Sequence, residues 1–294
     1  MQVQPVQVEQ MHVKQLHVQQ LHVKQLAGAI GAEITGVDLT QGVSPDLAAA
    51  LRAIFLKHQV IVLRRQPLTL DGFMHFARAM GTPVEYPFVK GLDGYPHIIE
   101  VKKLAEETVN FGGIWHSDTT YLAQPPMGSM LLAREIPPVG GDTLFASQYA
   151  AYEALSDTMQ RLLHGLRGIS SSAKADVSKT REDRLKSDGK SEGPRSYTSS
   201  HPVVRTHPET GRRALYVNIA HTAGIEGLSE AESAPLLAFL FAHQVKPEFT
   251  CRVAWEPDML TFWDNRCVQH NPVNDYPGHL RLMHRITLQG DTPA

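Results

Sequence analysis

Hydrophobic and polar positions change period along this chain, and the changes divide it into elements. Ser44 followed by Pro45, with Leu47, Leu51, Ile54 and Phe55 at helical spacing, predicts a capped helix burying one stripe. Residues 59–64, Gln-Val-Ile-Val-Leu-Arg, read as a buried strand. Thr69 opens a second helix with Phe73, Phe76, Ala77 and Met80 on one side, and Gly81 ends it. From Tyr86 to Val109, turn residues alternate with the short apolar run Ile98 to Val101. A run from Ser129 to Ala133 follows, and then the turn Gly140-Gly141-Asp142-Thr143 enters a β-prone segment. Residues 148–166 carry a helical pattern, and strand-like segments lie at 213–219, 249–255, 258–263 and 282–289. Ser229 with Glu232 forms a capping box for a helix ending near His243. Short strands joined by turns, with helices kept to one side, predict a mainly β chain with flanking helices around a double-stranded β-helix, a jelly-roll or cupin-like core.

Two stretches break the pattern. At the N-terminus the pentad HVKQL, HVQQL, HVKQL repeats from His12 to Leu26, a period that suits neither helix nor strand. Residues 1–21 are expected to be a flexible tail carrying His12 and His17, and the last copy, His22 to Leu26, to enter the domain as its first strand. Residues 22–294 then form one domain. Within it, residues from about 168 to 200 are polar and short of apolar positions, and are expected to be a lid-like surface excursion.

Composition narrows the function. A chain of 294 residues with 42% hydrophobic content can bury a full core. Its formal net charge of −2, with Lys and Arg spread along the chain, supplies no basic field for nucleic acid. Cys251 and Cys267 make no CxxC motif and no disulfide framework, which fits a reducing compartment. No apolar run approaches the roughly 20 residues that span a bilayer, and the N-terminus has no secretory pattern. The expectation is a soluble cytoplasmic protein without membrane or nucleic-acid partners.

The candidate chemistry lies in Trp115 to Tyr121, WHSDTTY, and in Trp263 to His270, WDNRCVQH. If residues 114–121 form a strand, His116 and Asp118 project together on one face. With His270 as a third ligand they would make the two-histidine, one-carboxylate triad that leaves three positions of an octahedral Fe(II) open. Thr143, after its turn, could face the same cavity. Arg281 and Arg285 share parity on a strand, and a guanidinium in a closed site calls for an anion such as a carboxylate. The same residues leave other readings open: ordinary surface arginines, a zinc-dependent hydrolase, or a non-catalytic cupin-like binding protein.

Taken together, WHSDTTY, PPVGGDTLF, RTHPETGRRALYVN, KPEF, WDNRCVQH and RLMHRITLQGD resemble the TauD/TfdA family of Fe(II)- and 2-oxoglutarate-dependent dioxygenases, from about Leu26 onward. The resemblance implies that His116, Asp118 and His270 bind iron, that Thr143 and Arg281 hold the distal carboxylate of 2-oxoglutarate, and that Trp263 lines the iron pocket. It implies C–H hydroxylation with O2 as the other cosubstrate, giving succinate and CO2, and a homo-oligomer, dimer or tetramer. A carboxylate at Asp118 argues against the halogenase variation. By the same resemblance Arg285 would reach an anionic group of substrate or cosubstrate. Tyr86, Val89, Gly112 and His221 stand where the taurine enzymes carry other residues, so the resemblance points to a small carboxylate or sulfonate, an aryloxyalkanoate or alkylsulfonate, over taurine. A charged His221 would make substrate affinity fall as pH rises through its pKa.

Overall fold

The computed structural model describes residues 21–110, 112–174 and 197–294. Its spine is an eight-stranded sheet in which Val60–Leu63, Leu260–Asp264, Gly128–Glu135 and Arg281–Leu288 run side by side, antiparallel. Ala32–Thr35 joins one edge, parallel to Val60–Leu63, and His22–Gln25 pairs with it in turn. Pro83–Val84 and Ile99–Lys103 both pair with Arg281–Leu288 at the other edge.

Both faces of its central strands are covered, so Val60–Leu63 and Leu260–Asp264 are buried at every position rather than alternately. Even-numbered residues of the central strands, Met130, Leu132, Leu260, Phe262, Ile286 and Leu288, pack beneath two helices, Pro45–His58 and Leu70–Met80. Phe55 of the first helix stacks on Phe262 with ring centroids 4.0 Å apart. The helices begin where the caps predict, Ser44 accepting from the Leu47 amide and Thr69 from the Gly72 amide. Odd-numbered residues, among them Leu131, Trp263 and Met283, turn inward against Phe145, Val253 and Val268. These belong to a three-stranded sheet of Thr250–Val253, Thr143–Ser147 and Val268–Pro272. The two facing sheets make the expected jelly roll, and Arg281 and Arg285 share the inner face with Met283.

Three local expectations fail. Residues 114–121 form no strand: Gly112 and Thr119 have φ of 68° and 43°, and between them only His116 makes a β-bridge, to His270. Residues 148–166 are split into Gln148–Glu153 and Asp157–Leu163, because Ser156 accepts from the Met159 amide and caps a new helix. The stretch from 168 to 200 does not leave the domain at its ends. Arg167–Ser171 and Thr198–Pro202 pair antiparallel, with Thr222–Ile225 on the other side, and bury Ser170, Ser172 and His201. Serine and threonine there satisfy a sheet that low hydrophobicity concealed. The middle of that stretch and the first twenty residues of the repeat tail lie outside the described residues. The last pentad copy does enter as a strand, with all of His22–Gln25 exposed.

Candidate active site

His270 lies on Val268–Pro272, and the chain carrying His116 docks on it by two reciprocal backbone hydrogen bonds of 3.0 and 2.8 Å. The two imidazoles therefore meet through this bridge, with ring centroids 4.1 Å apart, and not through strand alternation. Asp118 follows two residues later, inside a turn. Its Oδ1 stands 3.5 Å from His116 Nε2 and 3.9 Å from His270 Nε2, and all three residues are buried.

Two observations test whether this group fits a metal. His116 Nδ1 is 2.7 Å from the Ile114 carbonyl, which can only accept, so the proton sits on Nδ1 and the Nε2 lone pair faces Asp118. That lone pair, Asp118 Oδ1 and a ring nitrogen of His270 lie within 4.8 Å of one another, a donor set that fits a facial triad for Fe(II). His270 Nδ1 is buried and has no hydrogen-bond partner among the described residues.

The other Asp118 oxygen is tied to the protein. Oδ2 accepts from Ser129 Oγ at 2.5 Å, Ser129 accepts from Asn265 Nδ2 at 2.9 Å, and Asn265 Oδ1 accepts from Trp263 Nε1 at 3.0 Å. This relay leaves Oδ1 to the histidines. Burial alone would push the Asp118 carboxyl up, but Arg285, then His270 and His116, hold it well below the usual carboxylate range. Sequence reading missed Ser129, although its odd parity places it on the inner face with Leu131.

A cavity behind the triad is lined by His116, Thr143, Trp263, His270, Arg281 and Arg285. Thr143 Oγ1 accepts from Trp255 Nε1 at 3.0 Å, which leaves its own proton to donate. Arg281 gives Nε to the Gly141 carbonyl at 3.2 Å and keeps a buried Nη2 without an acceptor. Gly141 is required there: its φ is 74°, and a Cβ would come within 3.4 Å of Arg281 Cδ.

Arg285 Nη2 stands 2.8 Å from Asp118 Oδ2, an ion pair by distance whose N–H direction makes no hydrogen bond. Both Nε and Nη2 of this buried side chain are therefore without acceptors, and its guanidinium lies 5.2 Å from the Tyr86 ring centroid. Val89 packs with Tyr86 and Ile99, behind that ring. A Cβ at Gly112 would stand 2.9 Å from His116 Cε1, so the position borders His116 directly.

His221 is brought to the site but not as a cation. Burial, then the neighbouring His116, pushes it down to about 3. Its Nδ1 lies 3.0 Å from Thr120 Oγ1, which also accepts from Asn218 Nδ2 at 3.2 Å, and its ring meets Tyr121 edge-on at 5.0 Å. A charged His221, and a pH-dependent affinity through it, runs against this burial, which a single aligned position in the sequence could not reveal.

A jelly roll holding two histidines and a carboxylate at the mouth of a cavity with an unsatisfied arginine defines a non-haem Fe(II) oxygenase site. Comparison with known proteins gives the family. The model of the taurine catabolism dioxygenase TauD, TfdA family matches residues 22–287, and the chain belongs to that family. It is 34% identical over 276 residues to an alpha-ketoglutarate-dependent sulfate ester dioxygenase of Pseudomonas putida, covering 91% of this chain and 89% of that one. It is 32% identical over 256 residues to the alpha-ketoglutarate-dependent 2,4-dichlorophenoxyacetate dioxygenase of Cupriavidus pinatubonensis, covering 81% and 87%. Among solved structures, a putative alpha-ketoglutarate-dependent taurine dioxygenase from Burkholderia xenovorans superposes with TM-score 0.80 at 36% identity, covering 94% of each chain. The protein is thus an oxidoreductase of the dioxygenase class that uses Fe(II), 2-oxoglutarate and O2. The hydrolase and binding-protein readings fall away. No helix among the described residues is long and apolar enough to cross a membrane.

Proposed function

We propose that this enzyme hydroxylates a C–H bond of a small organic anion, a sulfate ester, sulfonate or aryloxyalkanoate, rather than taurine. Iron, 2-oxoglutarate and O2, when bound, supply the oxidant and leave succinate and CO2. The chain's own residues then do the rest. His116, Asp118 and His270 hold the metal, with Asp118 kept ionised by Arg285 and aimed by Ser129. Thr143 and Arg281 receive the distal carboxylate of 2-oxoglutarate.

The observation that carries the substrate assignment is Arg285, a buried cation with two donors unused beside the metal ligands. A fork of this kind fits a sulfate, sulfonate or carboxylate bidentately. An aromatic cluster adjoins it through Tyr86. Phe88 packs edge-on against Tyr121 and Tyr197 at 5.8 and 5.5 Å, and Tyr86 backs the guanidinium. Such a cluster suits an alkyl or aryl body and excludes water from the reacting carbon. His221 stays neutral and acts as a hydrogen-bonding wall with Thr120 and Asn218.

The single domain is assigned to the cytoplasm on its cysteine usage and lack of a long apolar run, and to a homo-oligomer, a dimer or tetramer, on the habit of the family. Substrate-dependent succinate formation should be measured across taurine, alkylsulfonates, alkyl sulfates and aryloxyalkanoates. An apolar anion should exceed taurine. Arg285→Ala should abolish the coupling of succinate to product while the anaerobic Fe(II)–2-oxoglutarate visible band survives. Preference for taurine, or an unaffected Arg285→Ala enzyme, would sink the assignment.

A further inference from the structure

Lys103 and Arg281 stand directly opposite each other in the antiparallel pair formed by Ile99–Lys103 and Arg281–Leu288. Residues in that relation put their side chains on one face, here the face lining the cavity. Each is only 5% exposed. Like charges directly opposite destabilise a sheet, and burial makes the arrangement worse unless something compensates it.

Among the described residues, no ion pair compensates it. The Lys103 ammonium lies 4.3 Å from the centroid of the Tyr276 ring. Arg281 has one carbonyl, an aromatic face at Trp255 5.7 Å away, and an orphaned Nη2. Asp142 acts on Arg281 only from a distance and is itself engaged by Arg252 at 2.5 Å. Tyr276 is fixed as a platform: its hydroxyl donates to Asn110 Oδ1 at 2.7 Å, and Asn110 Nδ2 donates to the Val273 carbonyl at 3.2 Å. Two cations held on one cavity wall, each short of an anionic partner, call for a guest with a negative group between them.

We propose that Lys103 is a second cation for the distal carboxylate of 2-oxoglutarate, acting from the opposite strand to Arg281, and that it sets the preference for a dicarboxylate over 2-oxo monocarboxylates. This rests on the reading that Arg281 and Thr143 receive that carboxylate. The aromatic face of Tyr276 then serves as the resting place of the ammonium, and a bound cosubstrate would relieve the repulsion between the two cations.

The test is calorimetric binding of 2-oxoglutarate and of 2-oxopentanoate, which lacks the distal carboxylate, to Mn(II)-loaded protein without O2. Lys103→Met should weaken 2-oxoglutarate about tenfold, as expected for the loss of one charge-assisted contact. It should leave 2-oxopentanoate unchanged and should not lower the melting temperature of the ligand-free protein. Lys103→Arg should retain the dicarboxylate preference. An unchanged affinity ratio in Lys103→Met, or a lower ligand-free melting temperature with that ratio intact, overturns the proposal and makes Lys103 a structural cation on Tyr276. Should Lys103→Met not fold, the same ratio is read in Lys103→Gln. Arg281→Met run in parallel separates the two readings: if it too leaves the ratio unchanged, the cosubstrate site itself is misplaced.

Discussion

Two buried knots of side chains look alike by composition and differ in what they can bind. His116, Asp118 and His270 form one; His207, Asp264 and Cys267 form the other, and in each the potential ligand atoms lie within 4.8 Å of one another. In the second knot the imidazole nitrogens and both carboxylate oxygens are already committed. His207 Nδ1 accepts from the amides of Glu209 and Thr210 at 3.2 and 3.1 Å, so its proton is on Nε2, directed at Asp264 Oδ2 3.1 Å away. Arg266 covers both Asp264 oxygens, at 2.8 and 2.7 Å, and burial holds the Cys267 thiol well above its ordinary range. In the first knot, Asp118 Oδ1 and His116 Nε2 face inward without a proton between them. Proximity of ligand types does not make a metal site; uncommitted lone pairs do.

The largest effect that would break this contrast is loss of metal. His270→Ala should lower Mn(II) or Fe(II) affinity by more than the roughly 10–100-fold that outer-shell changes cost, and should abolish turnover. His207→Ala should keep one metal per chain by equilibrium dialysis. Metal retained in the former, or lost in the latter with the fold intact, would reverse the assignment of the two knots.

Next in size is stability. Removing one partner of a buried ion pair costs about 3–5 kcal/mol, so Asp264→Asn should destabilise the protein by that order in urea while its metal affinity persists. The pH dependence follows. Arg266 and His207 overcome burial and depress the Asp264 carboxyl, so its contribution is fully present above the unfolded value of about 3.9 and is lost as pH falls toward its folded value. The acid limb of the wild-type stability curve should therefore be steeper than that of Asp264→Asn. Parallel limbs would mean that the Arg266 pair is not what fixes this carboxylate.

The smallest effect probes the relay. Ser129→Ala removes the 2.5 Å hydrogen bond to Asp118 and should weaken metal binding by about 10–100-fold, shifting the anaerobic visible band, with melting temperature nearly unchanged. A drop in stability with unaltered metal affinity would make Ser129 a packing residue.

How much of this was legible depended on whether the cause was local. Ser44 with Pro45, Thr69, and Ser229 with Glu232 mark helix starts because capping involves neighbours in sequence. The apolar runs of the central strands were readable for the same reason. The WHSDTTY stretch carried His116 and Asp118, which the fold brings to His270, on a backbone other than the expected strand, since His116 is placed by a partner more than a hundred and fifty residues away and not by its own periodicity. Lys103 left no trace in its neighbours, because its meaning comes from lying opposite Arg281. The neutral state of His221 is likewise set by burial, which pattern alone does not measure.

The two backbone hydrogen bonds joining His116 to His270 have a consequence for metal exchange. They lock the loop bearing two ligands onto the strand bearing the third during folding, so the roughly 1–2 kcal/mol per residue of backbone ordering is not charged against metal binding. The three side chains are pre-organised, with their potential ligand atoms within 4.8 Å of one another. Release and reloading then become a local event at three side chains, so an enzyme that loses its iron to oxidation can be restored without passing through an unfolded state.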